Sequence, residues 1–163
     1  MSPRSCFTLW LKVAEDSATP SETPAAKDPL AGRTTWVVSD YPALGDSLAS
    51  QIAMLGSVSE ALGLDGAIQR LEDPTATSPD LLLVLHQTTS FEALTIVRKL
   101  RSANGDAPLN LAAVVPLDQM VDAGKLREAG YGVCLPRPIP WRQLEEKLAA
   151  LIMGSTPHTR RPD

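Results

Sequence analysis

Aromatic side chains are scarce in this 163-residue chain, at 4%. Base-stacking platforms for single-stranded nucleic acid are built from such rings, so that class of binding has little material here. Cysteine is scarcer still. Cys6 and Cys134 stand far apart with no partner at metal-ligand spacing, and each reads as a reduced thiol. There is no basic stripe: 15 Lys and Arg face 19 Asp and Glu, a formal charge of −4, whereas phosphate-backbone binding draws its affinity from clustered cations. No apolar run approaches the roughly 18 residues of a membrane span, and the amino terminus lacks the charged-then-apolar order of a signal peptide. The expectation is a soluble, cytoplasmic chain with no nucleic-acid and no membrane contact. What is present suits a globular domain with appendages: 44% hydrophobic and 21% charged residues.

The prolines mark the ends. Six of the 14 (Pro3, Pro20, Pro24, Pro29, Pro157 and Pro162) fall outside residues 34–153. Residues 14–33, "AEDSATPSETPAAKDPLAGR", hold almost no large apolar side chain and cannot bury enough surface to offset the entropy of ordering, so they read as a disordered linker. Residues 154–163, "GSTPHTRRPD", read as a flexible tail. Ahead of the linker, Phe7, Leu9, Leu11 and Val13 alternate with polar residues as in a strand, and a lone strand does not fold by itself.

Between linker and tail the hydrophobic period switches repeatedly. "TTWVVS" (34–39) is a short apolar run ending at Ser39-Asp40. Leu44, Leu48, Ile52 and Leu55 recur at helical spacing until Gly56. A strand over 57–61 and a short helix over 65–73, with Ile68 and Leu71 inward, come next. "PDLLLVLHQTT" (79–89) then runs apolar from Leu81 to Leu85 and stops at His86. A helix with Phe91, Leu94, Val97 and Leu100 on one face is followed by a strand over 108–116, a helix over 117–130, a strand over 131–135, and a helix over 141–153 with Trp141, Leu144, Leu148 and Leu151 on one stripe. Five β-α units of this kind predict a doubly wound α/β fold, a five-stranded parallel sheet covered on both faces in the order 2-1-3-4-5. Ligand sites in such sheets lie at the carboxyl ends of the strands.

Residues 34–153 resemble the receiver domain of two-component signalling proteins, a flavodoxin-like (CheY-like) fold. "WVVSDYPAL" resembles that family's acidic first strand and loop, "SPDLLLVL" its third strand, and "AGYGVCLPRPI" its closing strand with a Lys-Pro signature. The resemblance implies a carboxylate phosphoacceptor after the third strand, Mg²⁺ held by acidic residues after the first, a hydroxyl after the fourth and a lysine after the fifth. The carboxylate attacks phosphorus and ligates the hard cation, while hydroxyl and ammonium bind the charge that develops on transfer.

Aligned on those motifs, the acceptor position is Leu85, which has no lone pair to offer. Ser39 and Asp40 replace the acidic pair, Val115 falls at the hydroxyl position, and Arg137 stands for the lysine. Cys134 falls near the family's switching aromatic. The resemblance thus implies a degenerate pseudo-receiver with no catalytic residue, no cofactor and no metal. Mg²⁺ would bind only if the site proves active, at Asp40 if anywhere. His86 is an alternative acceptor, although strand alternation turns it away from the pocket of Leu85. An Asp40–Arg137 ion pair is expected over the emptied site, and by resemblance the Arg137-Pro138 bond is cis.

"SPRSCFTLWLKV" resembles the last strand of a histidine-kinase ATP-binding domain, with Pro3 and Arg4 where that family has glycines. Strand, linker and receiver follow the order of a hybrid histidine kinase, which implies a C-terminal part of such a protein and no enzyme activity for this chain alone. The functional expectation is a phosphorylation-independent interaction module of two-component or phosphorelay signalling. Its partner would be a histidine kinase, another phosphorelay protein or a second copy, met through a face holding Arg142, Gln143 and Glu146. Two alternatives stand beside it: an active receiver with the acceptor shifted to His86 or Asp40, and a small-molecule binder using Asp40, His86, Thr88 and Arg137.

Overall fold

The computed structural model describes residues 29–87, 91–105 and 107–154, with the side chains of Phe91 and Val121 excepted. The expected kinase-like strand 1–13, most of the linker, Thr88 and all but the first residue of the tail lie outside the described residues. Five strands, β1 (Thr34–Val38), β2 (Val58–Leu62), β3 (Leu81–Leu85), β4 (Leu111–Pro116) and β5 (Val133–Arg137), alternate with five helices. These are α1 (Pro42–Ala53), α2 (Leu64–Glu72), α3 (Phe91–Asn104), α4 (Ala123–Ala129) and α5 (Trp141–Gly154). Every strand pair is parallel. The order is β2-β1-β3-β4-β5, as the alternation predicts.

The continuous apolar strands are explained by their period of two. Leu82 and Val84 of β3 join Trp36, Val38, Ala113 and Val115 in one core layer under α2, α3 and α4. Leu81 and Leu83 join Val37, Ala112, Val114 and Leu135 in the other, under α1 and α5. Each face of a central strand therefore needs an apolar residue, and no polar alternation survives. Fully burying each Leu contributes about 1.5–3 kcal/mol.

The amino-terminal end of the sheet is tied by Asp80, the acidic residue of the "PDL" motif. Its carboxylate accepts from the Thr34 amide at 2.9 Å and from Arg33 Nη1 at 3.1 Å. Its main chain is bonded to the Thr34 carbonyl and to Asn110 Nδ2. One aspartate thus joins the starts of β1, β3 and β4. That explains the motif as a structural device.

Several boundaries differ from those the sequence suggests. Residues 29–33, expected as linker, belong to the fold: Leu30 is fully buried and the Gly32 amide donates to the Gly56 carbonyl. One large apolar residue in a Pro/Ala/Gly context, together with main-chain bonds from Gly32 and to Arg33, holds the segment. The helix expected over 117–130 is split into a 3₁₀ turn over Leu117–Asp122 and α4, a common form of connector after a proline-ended strand. β5 starts two residues late, because Gly130, at φ 122°, closes α4 and Tyr131 still donates its amide to Leu126. Leu44 and Trp141, which share the apolar spacing of their helices, sit in the first turns of α1 and α5 and are both 41% exposed. On α3 the inward stripe is Ala93, Val97 and Leu100, and Leu94 is only half-buried.

Candidate functional site

At the carboxyl end of the sheet, β1 exits through Ser39. Its hydroxyl donates to the Tyr41 carbonyl at 3.0 Å and accepts from the Tyr41 amide at 3.1 Å. That local turn launches α1, with Pro42 at its first position, where a missing N–H costs nothing. Gly45 lets the helix lie close: a Cβ there would stand 3.3 Å from Ser39 Cβ. Ser39 is consumed by this turn and buried, whereas Asp40 beside it is exposed.

Leu85 ends β3 half-buried against the α1 and α5 layer, and Val115 is completely buried in the other. Neither position offers oxygen. The expected Asp40–Arg137 ion pair does not form. Ion pairs among the described residues join Arg33 to Asp80, Arg70 to Glu60 and Lys125 to Asp122. Arg137 instead turns toward the exit of β3, where its Nη2 donates to the His86 carbonyl at 3.1 Å and to Gln87 Oε1 at 3.4 Å. The flexible guanidinium stem reaches a carbonyl fixed by the sheet, while Asp40 stays in water, which costs an exposed carboxylate little. The Arg137-Pro138 bond is cis.

His86 is 4% exposed, and its Nε2 lies 2.7 Å from the Tyr131 hydroxyl, with the rings edge to face. Burial pushes its pKa down to about 4, so the ring is neutral near pH 7. Burial likewise pushes the Tyr131 phenol up and keeps it protonated. The pair bridges β3 to the turn before β5. The sequence assigns His86 no partner, since Tyr131 lies 45 residues away. The only local signal was a large aromatic held between Gly130 and Gly132. Cys134, at the position of the family's switching aromatic, is buried, points its thiol toward the Ala123 carbonyl, and has its pKa raised by burial.

Two hollows flank this exit. One, of about 430 Å³, brings together Asp40, Tyr41, Leu85, His86, Gln87 and Glu92. The other, of about 210 Å³, lies between α1 and the loop after β5 and includes Leu85 and Arg137. The fold therefore gathers Asp40, Leu85 and His86 around one hollow and places Arg137 at the next, leaving Val115 beneath in the core. Magnesium requires several oxygen ligands near octahedral geometry. Leu85 has no oxygen to offer and Ser39 is committed to its turn, and among the described residues no group of three or more His, Cys, Asp or Glu could hold a metal ion. No described helix is long and apolar enough to cross a membrane.

No family model and no curated relative matches the chain. Solved structures do. The receiver domain of sensor histidine kinase PA1611 from Pseudomonas aeruginosa PAO1, with a magnesium ion coordinated in its active-site cleft, superposes with a TM-score of 0.60 at 17% identity, over 77% of this chain and 100% of that one. A CheY-like response regulator receiver domain from Methylobacillus flagellatus gives 0.61 at 20% identity, over 74% and 99%. A pilus assembly-related protein from Burkholderia pseudomallei gives 0.61 at 16%, over 79% and 94%. The fold is that of CheY-like receiver domains.

Proposed function

We propose that this chain is a receiver-type module of two-component or phosphorelay signalling that takes no phosphoryl group and acts by protein contact. The observation that carries the reading is Leu85 at the end of β3, a hydrocarbon where the fold's chemistry needs a carboxylate. Arg137, bound to a backbone carbonyl, supports it. So does the state of His86, which is 4% exposed and whose Nε2 is occupied by Tyr131. The receiver of a sensor histidine kinase among the neighbours is in keeping with a hybrid-kinase origin. The partner is a histidine kinase, another phosphorelay protein or a second copy, and Arg142, Gln143 and Glu146 on the exposed side of α5 are available to it. The reading includes no enzyme activity, no resident cofactor and a cytoplasmic setting.

Incubation with acetyl phosphate and Mg²⁺, followed by intact-mass spectrometry, tests it. No phosphoryl adduct is expected, and beryllofluoride should leave the amide resonances of Asp40, Leu85 and Arg137 in place. An adduct abolished by Asp40→Ala or His86→Ala would mean that the acceptor has shifted and the module is a working switch.

A further inference from the structure

We infer that the open edge of β2 is a docking site for residues 5–13 of this same chain, which add to the sheet as a sixth strand. β2 is the outermost strand on its side and pairs with β1 alone. None of its five residues is buried, whereas β1, β3 and β4 are buried almost throughout. The main chain of Val58 and Leu62 turns inward: the Val58 amide donates to the Arg33 carbonyl at 2.8 Å, and the Leu62 carbonyl accepts from the Ser39 amide at 3.0 Å. Alternation then turns the N–H and C=O groups of Ser59 and Ala61 to the open side. Such an edge is ready to pair with a further strand, and proteins commonly blunt it with proline or lysine. The opposite edge strand, β5, carries Pro136, which has no N–H to offer. β2, "VSEAL", carries neither residue.

The side chains at this edge suit the segment. A hollow of about 360 Å³ lies between α1 and β2, lined by Asp46, Ala49, Ser50, Ala53, Ser59 and Ala61. These are small residues, so a strand laid along β2 has room for large apolar side chains on its α1 face, at every second position. Residues 5–13, "SCFTLWLKV", bring Phe7, Leu9, Leu11 and Val13 at that spacing. Thr8, Trp10 and Lys12 then fall on the other face, alongside the exposed Val58 and Glu60. Charge agrees as well. Residues 1–13 hold Arg4 and Lys12 and no carboxylate, while the acidic groups at the edge are Asp46 and Glu60.

The chain's connectivity selects this occupant. The described fold begins beside the start of β2, where the Gly32 amide donates to the Gly56 carbonyl and Arg33 accepts from Val58. Residues 14–28 join that point to Val13 and reach about 50 Å when extended, against about 17 Å for a five-residue strand. Either strand direction is therefore within reach. A tether of this kind holds the segment at an effective concentration in the millimolar range, ahead of a second copy or another protein. A lone strand gains stability only from a sheet, and the docking is independent of whether the chain accepts a phosphoryl group.

Amide hydrogen exchange and NMR of the labelled full chain test the assignment. The Ser59 and Ala61 amides should exchange at least about tenfold more slowly than in the double variant Leu9→Asp/Leu11→Asp, with the central Leu83 amide unchanged. Cross-strand NOEs should join residues 7–11 to residues 59–61, and in a mixture of labelled and unlabelled chains they should stay within one molecule. Equal exchange of Ser59 and Ala61 in the two proteins would overturn the assignment. So would cross-strand contacts found only between different molecules, which would make the occupant a second copy. If the variant also loosens Leu83 and so fails to fold, the presence or absence of the NOEs in the unaltered protein decides.

Discussion

The two ends of the sheet are built differently. At the amino-terminal end the polar groups close on one another: Thr35 and Ser57 share a buried hydroxyl contact at 2.8 Å, Ser57 donates on to the Arg33 carbonyl, and Asp80 ties β1 to β3 and β4 above a fully buried Leu30. At the carboxyl-terminal end closed contacts such as His86–Tyr131 stand beside groups that remain open. Asp40 faces water, Arg137 Nε has no acceptor among the described residues, and hollows separate the loops. A parallel sheet needs its strand starts fixed to hold register, whereas the strand exits are free to carry function. The contrast teaches that the "PDL" motif reports on the fold, while the exits of β1, β3 and β5 report on what the module does.

Variants can sharpen or break that contrast. Leu30→Ala should have the largest effect, a loss of about 2–5 kcal/mol in urea unfolding, because it leaves a cavity under the sealed end. A loss under about 0.5 kcal/mol, typical of a surface site, would return residues 29–33 to the linker.

Next comes the pH dependence set by His86. The unfolded chain protonates this ring near 6.5, but the folded chain does so only near 4. Folding thus favours the neutral form, so its stabilisation is fully present above pH 6.5 and is lost as the pH falls toward 4. At about 1.4 kcal/mol per unit the loss is on the order of 2–4 kcal/mol. Denaturant midpoints between pH 7 and pH 4 should show this slope, and His86→Gln should flatten it.

Tyr131→Phe should cost about 1–3 kcal/mol by leaving His86 Nε2 buried without a partner. An unchanged midpoint would show the pair to be looser than its 2.7 Å contact implies. The smallest effect belongs to Asp40→Asn, an exposed side chain making no described ion pair, at within about 0.5 kcal/mol. A larger loss in thermal unfolding would reveal a partner for Asp40 and close the end described as open.

The sequence by itself determined the architecture. Runs of five apolar residues alternating with helical periods leave few ways to bury both sheet faces, so the strand order followed from local pattern and handedness. It also determined that Leu85 cannot accept a phosphoryl group, since that depends on side-chain chemistry alone. Tertiary structure decided the pairings. Arg137 chose the His86 carbonyl, 51 residues away, over Asp40, and His86 met Tyr131 across 45 residues. Leu30 likewise packs in one core layer with Val37 of β1 and Leu48 and Ile52 of α1. Such choices depend on which groups the packed helices and strands bring within about 3 Å of one another. Periodicity encodes the facing of a side chain toward the core, but not the identity of the group it meets there.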